Sequence, residues 1–153
     1  LMDLRMSYVW LPNIMEVSGL QLTVEGDQAY DYAVTRVKNE EKSTESNTSY
    51  DLTIQNAGGK AIDYTNYQGF YKKLIALAVL SSDETAYTQE PVLRVEYSYF
   101  SGGEADVLEF CPVEGQDRYA AVLNGQFNGL VRKSDVDALT ALIPTLDQNQ
   151  SVE

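Results

Sequence analysis

Histidine is absent from this chain of 153 residues, and cysteine occurs once, at Cys111. Without histidine, the chain has no Ser-His-Asp or Cys-His triad, no imidazole general base and no histidine zinc site. A single cysteine forms neither an intramolecular disulfide nor a cysteine-rich metal site. Because Cys111 ends an apolar run and precedes Pro112, we expect a small buried core residue there rather than a reactive thiol.

Basic residues are also scarce: 11 Lys and Arg stand against 23 Asp and Glu, and the net charge is −12. A nucleic-acid surface needs clustered cations to displace counterions from phosphates, and only Lys72-Lys73 and Arg132-Lys133 are adjacent here. We therefore expect no nucleic-acid binding. No apolar run approaches the roughly 20 residues of a membrane span, so we expect no direct membrane insertion by this fragment. The acidity favours solubility, or a basic or metal-ion partner.

What the chain does contain is an internal repeat. Residues 49–74 align without a gap with the segment 69 residues further on. The aligned pairs include Tyr50 with Tyr119, Ile54 with Leu123, Ile62 with Val131 and Phe70 with Leu139. In both copies a strand-like run ends in a Gly/Asn turn, and an amphipathic helix then begins at a hydroxyl residue. A duplication of this kind indicates how the chain folds and says little about its chemistry.

The pattern predicts an α+β fold, built from a duplicated unit of antiparallel β-meander followed by one amphipathic helix. Turns of two to four residues exclude parallel crossovers, which need a dozen residues or more. The alternation leaves open whether the copies share one sheet and which sheet face is uncovered. The predicted organisation is a lead-in that is a possible tail of an upstream repeat (1–19), a first repeat (20–82), a connection (83–91), a second repeat (92–146) and a frayed tail (147–153).

Two helices are predicted from apolar residues spaced three and four apart. The first spans about 65–80 and is capped by Thr65 or Asn66, and the second is capped by Ser134. Pro144 is expected to stop or kink the second helix. The predicted buried stripes are Tyr67, Phe70, Tyr71, Leu74, Ile75 and Ala78 in the first helix and Val136, Leu139, Leu142 and Ile143 in the second.

The chain resembles a bacterial family in three segments: Asp3-Leu4-Arg5, the Tyr/Phe-rich stretch 64–80, and the run LVRKSDVDAL at 130–139. That family is catalogued as domain of unknown function 4340, and in it a meander feeds a strand-then-helix segment that recurs along the chain. The resemblance implies that residues 1–5 are the tail of an upstream copy. It also implies an extracytoplasmic bacterial envelope protein, membrane-anchored in the full-length parent and often encoded near ABC-type transport systems. Its implied partners are membrane transporter subunits or another envelope protein, and no catalytic residues carry over.

Tyrosine is the one enriched residue type, with eleven in the chain. Tyr30 and Tyr32 share one strand face, and Tyr97 and Tyr99 share another. Tyrosine offers binding surfaces a rigid area with a polar tip. We predict that these four residues form a ligand or partner surface, with cross-strand packing as the alternative.

Carboxylates are the only plentiful groups suited to catalysis. Glu96 and Glu109 lie on the polar side of adjacent predicted strands, close enough to be candidates for the acid pair of a glycoside hydrolase, whose carboxyl groups lie about 5–10 Å apart. Two solvated residues offset by Arg94 are the alternative. Asp135 and Asp137 fall in the first turn of the second helix, where carboxylates interact favourably with the helix dipole. No catalytic residue, metal ligand or cofactor is predicted.

These observations favour a non-catalytic extracytoplasmic interaction or ligand-binding module of a transporter-associated bacterial envelope protein, and not an enzyme. Two alternatives stay open. One is a carboxylate-dependent hydrolase acting on envelope glycans, and the other is a purely structural spacer.

Overall fold

The computed structural model describes residues 14–24, 28–41, 43–45, 50–81 and 85–152. Asp3-Leu4-Arg5 and most of the predicted lead-in lie outside the described residues. The elements are a short 3-10 helix (Ile14–Glu16), β1 (Val17–Val24), β2 (Gln28–Lys38), β3 (Tyr50–Asn56), β4 (Ala61–Ile62), α1 (Tyr64–Ile75), β5 (Leu93–Tyr99), β6 (Asp106–Pro112), β7 (Arg118–Leu123), β8 (Gln126–Arg132) and α2 (Lys133–Asp147).

The eight strands form one antiparallel sheet in the order β4-β3-β2-β1-β5-β6-β7-β8. This order confirms the predicted α+β class with antiparallel strands, and it shows that the two halves of the chain share one sheet. Each set of four consecutive strands is a meander, and the meanders meet where β1 pairs with β5. At this seam Leu20 lies opposite Tyr97, and Leu22 lies opposite Val95.

Alternation along the strands sorts side chains between the two faces of the sheet. In β5, Val95 and Tyr97 are buried, whereas Glu96 is half-buried and Ser98 is exposed on the other face. The β7–β8 hairpin turns at Asn124-Gly125, whose φ angles are 52° and 81°. Two consecutive positive φ values are what a two-residue type I′ turn requires, and the Asn-Gly pair supplies them at low cost.

Both helices pack on the same face of the sheet and form one continuous core with it. This arrangement confirms most of the predicted helix stripes, although Ile75 and Leu142 are only half-buried. Ala78 lies beyond the end of α1. The buried helix residues are Tyr67, Phe70, Tyr71 and Leu74 in α1 and Val136, Leu139, Ile143 and Leu146 in α2.

The predicted helix caps are wrong. Asp63 is the N-cap of α1 and Arg132 is the N-cap of α2, and neither makes a side-chain capping hydrogen bond. Both have extended backbone, with ψ angles of 136° and 127°, because each helix follows its preceding strand almost directly. Thr65, Asn66 and Ser134 therefore lie inside the first helical turns rather than at the caps.

The helix ends also differ from the prediction. α1 ends at Ile75 rather than near residue 80, because the chain then turns to the edge of β8, where the Leu80 N–H donates to the Leu130 carbonyl over 2.8 Å. Pro144 does not stop α2, since the following turn keeps Leu146 buried in the core. In the part of the chain that the structure describes, no helix is long and apolar enough to cross a membrane.

The connection from α1 to β5 covers the β6–β8 end of the second sheet face. The Leu130 N–H donates to the Ser81 carbonyl over 2.7 Å, which pairs the connection with the outer edge of β8. Tyr87 then stacks on Phe127 with 6.2 Å between ring centroids. Beneath them lies a second small apolar cluster of Cys111, Val113, Ala120, Val122 and Leu130.

The tail that we predicted to fray is held against the first half of the chain. The Asn149 side-chain oxygen accepts hydrogen bonds from the Asp63 N–H over 2.7 Å and from the Asn66 amide over 3.0 Å. Val152 is only 5% exposed. Its side chain lies so near Gly69 that a Cβ there would be 3.0 Å from it. The end of α2 therefore ties the second meander to the outer strands of the first.

Candidate functional site

The four tyrosines predicted as a binding surface lie on the helix-covered face of the sheet. Tyr32 and Tyr97 are 2% and 0% exposed, and Tyr30 and Tyr99 are half-buried against the same core. For Tyr32 and Tyr97 this placement favours packing, the alternative that the sequence left open. A binding role for the four residues stays a prediction, and the exposed surface lies on the opposite face.

Two of these tyrosines join separate elements through their hydroxyls. Tyr32 donates to Asp147 Oδ1 over 3.3 Å and so links β2 to the end of α2. Tyr99 donates to Asp106 Oδ2 over 2.6 Å and links β5 to β6. The Tyr97 hydroxyl has no hydrogen-bond partner among the described residues. Burial raises the pKa of Tyr97 well above its ordinary value, because ionisation would leave a charge in the apolar core.

Among the residues that the structure describes, no element covers the opposite face over β3, β2, β1 and β5. The exposed large hydrophobic residue of this face, among its described residues, is Val37, which is 56% exposed. A shallow depression of about 220 Å³ lies over Gly19, where β1 has a register shift. The exposed residues of this face are Asp31, Ala33, Thr35 and Val37 on β2, Asp51, Thr53 and Gln55 on β3, and Ser98 on β5.

Acidic side chains cross this uncovered face in a row. Gln21 on β1 lies opposite Asp31 on one side and opposite Glu96 on the other. Two strand spacings separate the acids, which is about 10 Å. The Arg94 side chain forms an ion pair with Glu96, and its Nη2 lies 3.3 Å from Glu96 Oε1. Glu96 is therefore paired, and Asp31 is the other acid that lines the depression.

The proposed hydrolase pair lies at the border of this face. Glu109 is directly opposite Arg94, whereas Glu96 is opposite Val107. Glu96 and Glu109 are therefore diagonal neighbours, with Cα atoms about 7–8 Å apart, and Arg94 lies beside both. This arrangement favours the alternative of solvated strand residues offset by Arg94.

Of the two acids predicted in the first turn of α2, Asp135 lies in that turn and Asp137 lies just beyond it, because the helix begins at Lys133. Asp135 lies 3.9 Å from the Arg132 guanidinium, at the limit of an ion pair. Asp137 accepts hydrogen bonds from the Lys133 ammonium and, over 2.7 Å, from the Tyr119 hydroxyl. The hydrogen bond to Asp137 raises the pKa of Lys133, and burial followed by the same carboxylate raises the pKa of Tyr119. Asp137 is thus engaged in fixing neighbouring side chains.

Cys111 is 3% exposed, which confirms the prediction of a small buried core residue. Burial, and then the charge of Glu109, raise the pKa of its thiol to about 11. The thiol is therefore protonated at neutral pH, whereas nucleophilic cysteines need the thiolate. Within the described ranges, no group of three or more Cys, Asp or Glu residues is placed to hold a metal ion.

Comparison of this chain with family models, with characterised proteins and with solved structures returns no match.

Sequence reasoning did not identify the uncovered face as the exposed surface. The sequence of β2 does indicate which residues share this face, because every second residue there belongs to it: Asp31, Ala33, Thr35 and Val37. Alternation separates two faces without indicating which one the helices cover. Only the packing of α1 and α2 against the tyrosine-rich face decides this.

Proposed function

We propose that this chain is a non-catalytic interaction module that presents the uncovered sheet face to a partner protein. The observation that supports this is the asymmetry of the sheet. Two helices cover one face, and the connection covers one end of the other, so that among the described residues β3, β2, β1 and β5 keep an exposed surface. An antiparallel sheet can leave one face in water, but here that face combines a depression at Gly19 with an exposed Val37.

The chemistry of this face favours a basic partner. Asp31 and Glu96 flank the depression, and Asp51 is exposed on the outer strand β3. The whole chain carries a net charge of −12. A partner surface with Lys or Arg would therefore meet a complementary potential, which speeds encounter and favours correct orientation.

The resemblance to the domain of unknown function 4340 family supplies the setting of the proposal. In that setting the chain belongs to an extracytoplasmic, membrane-anchored envelope protein of bacteria, and its partner is a transporter subunit or another envelope protein. The family assignment itself is part of the proposal and depends on the three sequence segments described above.

The duplication is also part of the proposal. At the separation of 69 residues, the buried residues of α1 align with buried residues at the same face of α2: Tyr67 with Val136, Phe70 with Leu139, and Leu74 with Ile143. Both helices follow the fourth strand of a meander. Two copies related in this way should pair through equivalent strands, so the isolated second half (85–152) should form a dimer through β5 in sedimentation experiments. A half that folds but stays monomeric would count against the duplication.

The binding proposal is tested by making the same change, alanine to arginine, separately on two different surfaces. Ala33 is exposed at the centre of the uncovered face, and Ala141 is exposed on α2. The full-length parent carrying Ala33→Arg, Ala141→Arg or neither is used as bait in mild-detergent extracts of its own cells, with mass spectrometry of the retained proteins. We expect a basic partner that wild type and Ala141→Arg retain and Ala33→Arg loses, because Ala33→Arg adds bulk and positive charge to the interface.

Other outcomes have distinct meanings. If Ala33→Arg retains the same proteins as wild type, the uncovered face is not the interface. If no protein is retained above a control bait, the structural-spacer alternative gains support. Circular dichroism of both variants controls for folding, since both sites are exposed and should accept arginine.

A further inference from the structure

A cleft of about 540 Å³ lies away from the uncovered face, where the first residue of β7 and the last residue of β8 meet the start of α2. Basic side chains dominate one wall of this cleft. Arg118, Arg132 and Lys133 line it, which places three of the eleven basic residues of an acidic chain together. Asp117 and Asp137 complete the polar lining.

The two arginines are directly opposite each other. Arg118 on β7 pairs in register with Arg132 on β8, and both are exposed. Like charges directly across an antiparallel pair are destabilising. Within the described part of the chain, Arg118 has no carboxylate partner, and the nearest carboxylate to Arg132 is that of Asp135 at 3.9 Å. The two guanidinium groups therefore repel each other, and an anion that bridges them would relieve this repulsion.

Lys133, the third basic residue of the cleft, does have a carboxylate partner. Lys133 is bound to Asp137, which also accepts the Tyr119 hydroxyl. Asp137 is thus unavailable to the arginines. Lys133 also fixes the loop before β7, because its backbone N–H donates to the Asp117 carbonyl over 3.2 Å. The cleft holds its lysine in place and leaves two guanidinium groups as donors.

We propose that this cleft binds a multivalent oxyanion of the phosphate or sulfate class, bridged by Arg118 and Arg132. A planar guanidinium donates two parallel hydrogen bonds to such an oxyanion. The start of α2, which has no side-chain cap, lines the cleft at Lys133 and Ser134, and the Lys133 N–H is already used by the Asp117 carbonyl. The volume exceeds that of a bare phosphate and falls in the range of small-molecule sites, so a phosphomonoester fits as well as the inorganic ion. This site is separate from the interaction surface proposed above.

The test uses the whole chain, labelled with ¹⁵N and titrated with inorganic phosphate at constant ionic strength. We expect saturable shifts of the Arg118, Arg132 and Ser134 amide signals. Arg118→Gln and Arg132→Gln should each weaken phosphate binding about tenfold, the usual effect of removing a charge-assisted hydrogen bond. Arg94→Gln makes the same change of charge on the other surface, and it should leave the phosphate affinity unchanged.

Further probes separate the sources of the anion. Tighter binding of O-phosphoserine than of inorganic phosphate would indicate a phosphomonoester ligand, and equal binding would indicate the free ion. The absence of saturation, or equal weakening by Arg94→Gln, would overturn the proposal in favour of general charge screening. Folding is not at risk, since each glutamine variant removes one member of a repulsive pair.

Discussion

At the scale of single residues, Gly129 decides how the connection can reach the edge of the sheet. Its φ is +124°, and a Cβ at this position would lie 2.6 Å from Val79 Cγ1 and 3.3 Å from the Ser81 carbonyl oxygen. The connection uses this close approach to pair with β8 at Leu130. A side chain at position 129 would meet both a disfavoured backbone angle and a neighbour with little room to move.

We therefore expect Gly129→Ala to lower the free energy of unfolding by about 2–4 kcal/mol, from backbone strain together with overpacking. Gly59→Ala is the matched control, because Gly59 has φ +83° and no atom within 4 Å of its added Cβ. The control should lose about 1–2 kcal/mol, from the left-handed backbone alone. Urea denaturation followed by circular dichroism measures both. Equal losses in the two variants would show that the contact with Val79 has no steric cost.

At the scale of elements, the sequence predicted which segments are strands and helices better than it predicted their register. An Asn124-Gly125 turn with regular pairing would place Arg118 opposite Val131. The structure has a register shift between Ala120 and Val122 that places Arg118 opposite Arg132 instead. One extra residue in β8 thus creates the arginine pair of the cleft. The local alternation did not indicate this bulge, which lies at Asn128 and Gly129, next to the contact of β8 with the connection.

The end of α2 shows a similar limit of local reasoning. Residues 147–153 are polar apart from Val152, and a polar terminus is expected to fray. The tail is ordered by partners far away in sequence. The Asn149 side chain accepts the Asp63 N–H, which is a free donor at the start of α1. An element in the second half thereby supplies the cap that the first helix lacks.

Loss of this cap should have a local and a global effect. Asn149→Gly keeps the left-handed backbone, since Asn149 has φ 57°, and removes the acceptor of two hydrogen bonds. We expect the free energy of unfolding to fall by about 1–2 kcal/mol and the Asp63 amide to exchange its hydrogen faster. Gln150→Gly is the control for a glycine in this tail, and it should leave exchange at Asp63 unchanged. Unchanged exchange at Asp63 in Asn149→Gly would refute the capping role.

At the scale of the whole molecule, composition and alternation were sufficient to predict an antiparallel α+β fold. They were not sufficient to predict the seam between the meanders. Leu20 and Tyr97 lie opposite each other at this seam, but most of the first half of the chain separates them in sequence. The candidate surfaces depend on that seam. It makes one broad sheet whose tyrosine-rich face receives both helices, and it leaves the face with Asp31 and Ala33 exposed. Local sequence therefore predicted the composition of each face, and the long-range contacts decided which face is available to a partner.

The burial of tyrosines in this shared core makes the fold sensitive to alkaline pH. Burial is the first cause of a raised pKa at five tyrosines: Tyr32, Tyr67, Tyr71, Tyr97 and Tyr119. An unfolded chain loses these phenol protons near the ordinary pKa of 10.0, whereas the folded chain retains them. Their contribution to stability is therefore complete below about pH 10, and it falls as the pH rises above that value.

We accordingly expect at least five of the eleven tyrosines to ionise only when the chain unfolds, in one cooperative step at high pH. Ultraviolet absorbance of tyrosinate, recorded together with far-ultraviolet circular dichroism, measures ionisation and unfolding in the same sample. Tyr97→Phe is the informative variant, because the Tyr97 hydroxyl is buried and has no hydrogen-bond partner among the residues that the structure describes. Its removal should leave stability at neutral pH unchanged or higher and should shift unfolding to higher pH. If all eleven phenols ionise while the circular dichroism remains native, the tyrosine-rich face is accessible to water, and its role as the closed core between helices and sheet would have to be abandoned.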